Sequence, residues 1–418
     1  MRSLNLTFMR TKTRNKNTAR KICCIFSAQY LPHMGGVERY TSYLAKGLLA
    51  KNWQVLVITT NPGTLPDEQI LDGVPVLRLP AYPFIDGRFP VPLPGKKFLQ
   101  LHRKLDRIQP DVVLVNTRFY FHSLYGVLWG WKKGARTLLL DHGSGHLYLP
   151  NPGLNLLGQW FEHGITALEK RFCREYYGVS LASVKWLRHF HIKACGILPN
   201  AIDLDFIDQR LARPRTDFRQ MYQIPPDAVV LVYTGRLIPE KGLLPLRDAF
   251  ASLVRQHPET YLLLAGDGPL EEELKHTAPP HMFLTGRLSQ DEVIDLLGCS
   301  DMFCLPSVSE GFSTSVLEAA ACGNYLVITD SACPGELIKD SSYASVLPDT
   351  RPNTIYKALS AALEEPLRRA HAAEKTRKRL ENNFTWEKTL ERFLACLEHP
   401  APGRSDMHTK RNSHGTLS

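Results

Sequence analysis

The stretch Glu310-Gly-Phe-Ser-Thr-Ser-Val-Leu-Glu318, running on into Ala319-Ala-Ala-Cys-Gly323, sets two carboxylates eight positions apart across a loop-to-helix junction. Val316, Leu317 and Ala320 recur at helical spacing, and Gly323 stands where a helix would stop. Glu310 then lies in the loop before the helix, and Glu318 projects from its first turns. The unpaired backbone N–H groups between them form a seat for phosphate. A site built this way can hold a sugar at one carboxylate, a diphosphate at the helix start and a ribose at the other. A plainer reading is equally open: Ser315-x-x-Glu318 fits a capping box, with Glu318 returning to a backbone N–H, and Glu310-Gly311 fits an ordinary turn.

The segments upstream weigh towards the first reading. Val229-Val-Leu-Val-Tyr-Thr234 is a short apolar run of the kind buried in a parallel sheet. Gly235-Arg236-Leu-Ile-Pro-Glu240-Lys241-Gly242 follows it directly. A guanidinium fork and an ammonium point charge in a glycine-bracketed loop at a strand's carboxyl end suit a diphosphate. Tyr261–Ala265 leads into Gly266-Asp267-Gly268-Pro269, Met282–Thr285 into Gly286-Arg287, and Asp301–Pro306 into the Glu310 loop. Tyr325–Thr329 closes the series. Strand, loop and helix alternate throughout, which predicts an α/β fold with parallel sheets wrapped by helices.

GRLIPEKG (235–242), AGDGPL (265–270), TGR (285–287), PSVSEGFSTSVLEAAACG (306–323) and FTW (384–386) stand in this order. In this the chain resembles the donor-binding half of the family 4 retaining glycosyltransferases, the glycosyl transferases group 1. The resemblance implies the GT-B fold, two Rossmann-like doubly wound domains facing across a cleft. It implies that Arg236 and Lys241 hold the diphosphate, that Glu318 bonds the ribose hydroxyls and that Glu310 contacts the transferred sugar. Gly235, Gly266, Gly286 and Arg287, together with Gly311, Phe312, Ser313 and Thr314, would line the donor. Ser313 stands where the family often has glycine.

In the amino-terminal half, Lys21–Ser27 reads as a first strand, and Pro32-His33-Met34-Gly35-Gly36-Val37-Glu38 as a glycine loop opening a helix. Within the resemblance Gly35 and Gly36 match the donor-facing loop. Gln54–Thr59, Asp111–Asn116 and Thr137–Asp141 supply further strands, the last ending at His142-Gly143-Ser144-Gly145-His146. His142 is the candidate from this half, since comparable family members carry a histidine near the reacting sugar carbon. His146 is read as a hydrogen-bonded structural residue. Pro80–Pro94, with Tyr82, Phe84, Arg88 and Phe89 among five prolines, is either part of an acceptor wall or a connecting loop.

The expected organisation is a basic arm over 1–20, an acceptor-side domain over 21–198, a junction over 199–226 and a nucleotide-sugar-binding domain over 227–380. A helix over 381–398 would cross back to the first domain, leaving a polar tail over 399–418. The formal net charge is +10, and Met1–Lys21 holds no acidic residue. No stretch matches a secretory signal or a bilayer span, and no nucleic-acid module stands out. An anionic membrane surface is the expected partner, which places the protein in the cytoplasm, peripheral on the inner face of the membrane. Leu128-Trp-Gly-Trp131-Lys-Lys133 pairs aromatics with basic residues. An amphipathic helix over Leu154–Arg174 either rests on that surface or packs into the first domain's own core. The nine cysteines lack a metal-ligand rhythm and read as reduced thiols. Asp203-Leu-Asp205 reads as structural, so no metal and no cofactor is expected to be obligatory.

These expectations converge on retaining transfer of a sugar from a UDP- or GDP-linked donor to a hydroxyl of a glycan or lipid-linked acceptor. Cell-envelope polysaccharide, lipopolysaccharide or glycolipid synthesis is the expected setting. A nucleotide-sugar epimerase on the same fold and a non-catalytic nucleotide-sugar binder are the competing readings.

Overall fold

The computed structural model describes residues 20–33, 35–84, 87, 89–146, 152–213, 215–308, 310, 312–332 and 336–398. The tail expected at 399–418, and all but Arg20 of the arm expected at 1–20, lie outside them. Among the described residues the chain builds two sheets. The first contains β1 (Ile22–Ser27), β2 (Gln54–Asn61), β3 (Glu68–Leu71), β4 (Val74–Phe84), β5 (Phe89–Pro92), β6 (Val112–Asn116), β7 (Arg136–Asp141), β8 (Glu175–Gly178) and β9 (Gly196–Ile197). Its order is β3-β4-β2-β1-β6-β7-β8-β9, with β5 paired to β4. Only the β3–β4 and β4–β5 pairs are antiparallel. β1 is buried at every position, Cys23 and Ile25 facing one core and Cys24 and Phe26 the other. Burial on both faces is why this strand is continuously apolar and does not alternate.

The second sheet contains β10 (Val229–Thr234), β11 (Thr260–Ala265), β12 (Met282–Gly286), β13 (Met302–Leu305), β14 (Tyr325–Thr329) and β15 (Ser345–Leu347). All its pairs are parallel, in the order β12-β11-β10-β13-β14-β15. The chain reverses direction across the sheet between β10 and β13, and in the first sheet between β1 and β6. Such reversals leave a crevice beyond the strands' carboxyl ends, where doubly wound folds bind ligands. The chemistry-bearing loops of the sequence all leave strands at that end.

Residues 199–226 contain two short helices, at Leu204–Leu211 and Phe218–Met221. They pack on the second sheet's layer: Arg210 grips Asp295 through Nε at 2.8 Å and Nη2 at 2.5 Å. Asp203 caps the first of these helices, accepting from Phe206 N at 3.0 Å, and also accepts from Tyr43 Oη at 3.1 Å. Its role is structural. The helix Trp386–Glu398 lies against the helix Gly36–Ala50 of the first sheet. Trp386 stacks on Tyr43 with centroids 4.6 Å apart, and Arg136 donates to the carbonyls of Cys396 and Leu397 at 2.8 and 2.7 Å.

Two expectations about apolar segments resolve differently. Trp129 is buried in the first domain's core, whereas Trp131 is exposed and meets Phe172 edge-on. The helix Pro152–Phe172 turns its polar side inward: Glu162, Thr166 and Glu169 are buried with Ile165, while Leu154, Leu156, Leu157 and Trp160 are exposed. Arg118, also fully buried, draws the polar side in by bonding Asp141 Oδ2 at 3.0 Å and Thr166 Oγ1 at 3.3 Å. None of the described cysteines forms a disulfide.

Candidate active site

At the reversal of the second sheet, three glycine loops stack on one another. Gly235 and Gly266 have φ of 148° and 144°, and a Cβ on Gly266 would fall 1.8 Å from the Gly235 carbonyl oxygen. Only residues without a side chain allow the two loops to touch this way. Leu237 N donates to Asp267 O at 2.8 Å, and Gly266 N to Gly286 O at 2.8 Å. The short turn Pro239–Lys241 is then pinned to the loop after β13: Val308 N and Ser307 Oγ donate to Glu240 O at 2.9 and 3.1 Å. This brings Lys241 Nζ into a hydrogen-bonded ion pair with Glu310 Oε1. Arg236 is exposed in the same loop. Arg287 is also exposed, and its Nη1 lies 3.9 Å from Asp267 Oδ2.

The helix after Glu310 runs Thr314–Ala321 and ends at Gly323, whose φ is 81°. Its N-cap is Ser313, which makes no cap bond to the backbone and instead pairs with Ser315 Oγ at 2.8 Å. The first N–H groups of the helix therefore have no side-chain cap, as an anion seat requires. The capping-box reading of Ser315 and Glu318 does not hold. Glu318 Oε1 accepts from Arg39 Nη1 at 2.9 Å, across from the helix Gly36–Ala50. Burial pushes the Glu318 carboxyl above its ordinary range, and Arg39 opposes that shift. Phe312 turns its ring towards Phe384 in the core. Its carbonyl accepts from Asn200 Nδ2 at 3.2 Å, so only backbone near it can meet a ligand. Gly311 lies outside the described residues.

The first sheet reaches into the same place. Ser144 Oγ donates to the Glu310 carbonyl at 2.7 Å, so Glu310 is held by both sheets. His142 leaves β7 with Nε2 3.1 Å from Asn116 Oδ1. Asn116 commits its amide nitrogen to Thr41 Oγ1 at 2.8 Å. Its oxygen is thus the acceptor, His142 carries its proton on Nε2, and Nδ1 remains an acceptor. Desolvation pushes the His142 pKa down to about 3, so the ring is neutral. Gly35 caps the helix Gly36–Ala50, and the position of a Cβ on Gly36 is open space. That helix start already carries the buried Glu38 carboxylate, whose Oε2 lies 2.6 Å from where a Gly35 Cβ would be.

Between the sheets lies a cavity of about 370 Å³ lined by Ser144, Ala182, Lys185, Trp186, Asp330 and Ser331. The Pro80–Pro94 segment is not among its walls. It forms the β4–β5 hairpin, and Phe89 packs with Tyr120 and Phe161 at 5.1 and 5.6 Å. Arg39, Asn116, Ser144 and Asn200 escaped the sequence reading because their partners lie on distant elements; Ser144 stood in a quoted glycine loop, but nothing in the sequence pointed it at Glu310. Only the approach of the two sheets gives them partners.

Residues 214–379 match the profile of the glycosyl transferases group 1, and residues 34–206 that of glycosyltransferase family 4. An uncharacterized glycosyltransferase of Methanocaldococcus jannaschii is 25% identical over 392 residues, which covers 90% of this chain and 97% of that protein. A GDP-mannose-dependent α-(1-6)-phosphatidylinositol dimannoside mannosyltransferase of Mycobacterium tuberculosis is 28% identical over 381 residues, covering 88% and 93%. The fold superposes on sucrose-phosphate synthase from Thermosynechococcus elongatus with a TM-score of 0.69 at 18% identity, over 91% of this chain and 98% of that one. With both of its sheets matched by these profiles, the chain belongs to the group 1, family 4 glycosyltransferases of GT-B fold.

Proposed function

We propose that this enzyme transfers a sugar, with retention of anomeric configuration, from a UDP- or GDP-linked donor to a hydroxyl of a glycan or lipid-linked acceptor. The observation that carries the reading is the meeting of Lys241 with Glu310 at the uncapped start of the Thr314–Ala321 helix, with Arg236 in the same loop. Arg236, Lys241 and the free N–H groups would neutralise the departing diphosphate. Charge stabilisation of this kind needs neither a proton donor nor an obligatory metal. Glu318 would accept from the ribose hydroxyls. The Glu310 carboxylate, held by Lys241, and the neutral His142 would position the transferred sugar from opposite sheets. As the anomeric C–O bond to phosphate breaks, the acceptor oxygen bonds to the same face, and its proton passes to the leaving phosphate oxygen. Glu310 acts as a positioner in this account and forms no covalent intermediate.

The exposed Leu154, Leu156, Leu157 and Trp160 in the first half of the helix Pro152–Phe172, with exposed Trp131, Lys132 and Arg171 towards its other end, support peripheral attachment to an anionic bilayer. A lipid-linked acceptor, as in assembly of a cell-envelope glycan or glycolipid, suits that surface. Among the described residues no helix is long and apolar enough to cross a membrane. A mass-spectrometric screen of UDP-, GDP- and ADP-sugars against a membrane lipid extract tests the proposal, with NMR of the product's anomeric centre. One sugar moved onto a lipid product with retained configuration is expected. Nucleotide binding without transfer to any acceptor would return the reading to a binder, and an inverted product would refute retention.

A further inference from the structure

Behind the cleft wall, outside the donor site, three histidines from three separate elements converge. His146 comes from the loop after β7, His163 from the helix Pro152–Phe172, and His189 from the end of the helix Leu181–His189. One ring nitrogen of each lies within 4.8 Å of the other two. His163 Nε2 and His189 Nε2 are 3.2 Å apart. A tetrahedral zinc with Zn–N of about 2.0–2.1 Å holds its nitrogens about 3.3 Å from each other, so this pair already has the required separation. The third nitrogen needs a ring movement on the order of 1.5 Å, small for a partly exposed side chain.

The surroundings carry a second, independent sign. His146 Nδ1 lies 3.0 Å from Oε2 of the buried Glu162. A carboxylate on one ring nitrogen fixes the tautomer and directs the other, Nε2, outward with raised basicity, which is how metal-bound histidines are usually backed. Glu162 and Asp141 both turn to the single guanidinium of Arg118, at 3.5 and 3.0 Å. Trp186 stacks flat against His189 at 4.8 Å and meets His146 edge-on at 4.8 Å. These contacts hold the rings with their edges together, and His163 and His189 are exposed enough for an ion to enter.

We propose that His146, His163 and His189 bind one divalent transition-metal ion of the zinc class, with water in the fourth position. Trp186 and Ser144, which flank this site in space and sequence, also line the cleft cavity. The ion therefore ties the loop after β7 to two helices and stiffens the cleft wall that carries Ser144 to Glu310. It takes no part in sugar transfer. Imidazole nitrogen ligands favour zinc or copper over calcium or magnesium, which prefer oxygen.

The test is calorimetric titration of the full chain, stripped with chelator, with ZnCl₂, paired with the visible spectrum after Co²⁺ addition. One saturable site at micromolar free zinc is expected, with a cobalt band of four-coordinate intensity. His163→Ala and His189→Ala should each weaken binding at least about tenfold, the scale on which even supporting residues of metal sites act. Both positions are exposed, and circular dichroism would verify that the variants fold. A His408→Ala/His414→Ala variant controls for tail histidines and should bind as the parent does. No saturable zinc binding would overturn the proposal, as would a His163→Ala/His189→Ala variant with unchanged affinity.

Discussion

Replacing Glu318 tests the donor site at a buried charge. Its Oε1 is engaged by Arg39 at 2.9 Å, with the two side chains 25% and 10% exposed. The gross attraction at that distance is about 6 kcal/mol for an effective dielectric of 20. Desolvation offsets most of it, leaving a net of about 1–2 kcal/mol, between the values for exposed and buried pairs. Arg39 uses one carboxylate oxygen, which leaves Oε2 for a ribose hydroxyl. Hydrogen bonds to a charged group contribute about 1.5–3 kcal/mol, so Glu318→Ala should weaken UDP or GDP binding roughly 10- to 150-fold. Arg39→Met should cost less, about 3- to 10-fold, because it removes the group that orients the carboxylate and leaves the acceptor itself. Arg39 also holds the Glu318 pKa down against the burial that raises it. Without Arg39 that pKa climbs further, so the loss should be larger at pH 6 than at pH 8.5, where the carboxylate recovers its charge. The double variant should match Glu318→Ala alone, since Arg39 acts through Glu318. Isothermal titration calorimetry with UDP and GDP at both pH values measures all four proteins. Glu318→Ala binding both nucleotides within twofold of the parent would refute the ribose assignment, and fully additive losses would refute the role given to Arg39.

Glu310→Gln should lower kcat by about 10²–10³-fold while nucleotide affinity changes only a few-fold, because the carboxylate serves the sugar and not the diphosphate. An equal fall in both would show that it serves binding alone. Acid should destabilise the fold through His122, which is fully buried on Phe26 and hydrogen-bonded to Ile58 O. Burial pushes its pKa from 6.5 down to about 4. The unfolded chain takes up that proton first, so the stability is present above pH 6.5 and is lost as pH falls towards 4. Between pH 6.5 and pH 5 the loss is about 1.6 kcal/mol, and His122→Gln should flatten the urea-midpoint profile by that amount. Leu157→Glu with Trp160→Glu should lower sedimentation with anionic vesicles while leaving transfer to a water-soluble acceptor intact. Unchanged sedimentation would remove this helix from the membrane surface.

β10, β11, β13 and β14 of the second sheet were legible as short buried apolar runs, and glycine loops mark the stops of β10, β11 and β12; β15, three residues with only Leu347 buried, was not read. Val229–Thr234 and Tyr325–Thr329 begin and end where the sequence places them. β3, β4 and β5 were not, since Pro75, Pro80, Pro83, Pro90 and Pro92 lie in strands at or near a sheet edge, where missing N–H donors are tolerated. The helix Pro152–Phe172 was left between two readings for a different reason. Periodicity locates an apolar stripe and says nothing about which side faces in, and here the buried guanidinium of Arg118 draws Glu162 and Thr166 inward.

The sequence by itself determined the doubly wound architecture, the order of the phosphate loops and the residue types that can meet a diphosphate. Those depend on contacts within a strand, a turn or a helix start, which spacing along the chain encodes. Only the tertiary structure decided that Glu318 answers to Arg39 and not to its own helix, that Ser144 holds the backbone of Glu310, and that His146, His163 and His189 share one corner. Each of these pairs spans two elements that are distant in the chain. Partners of that kind are chosen by how layers pack around a buried charge, a quantity that no local pattern carries.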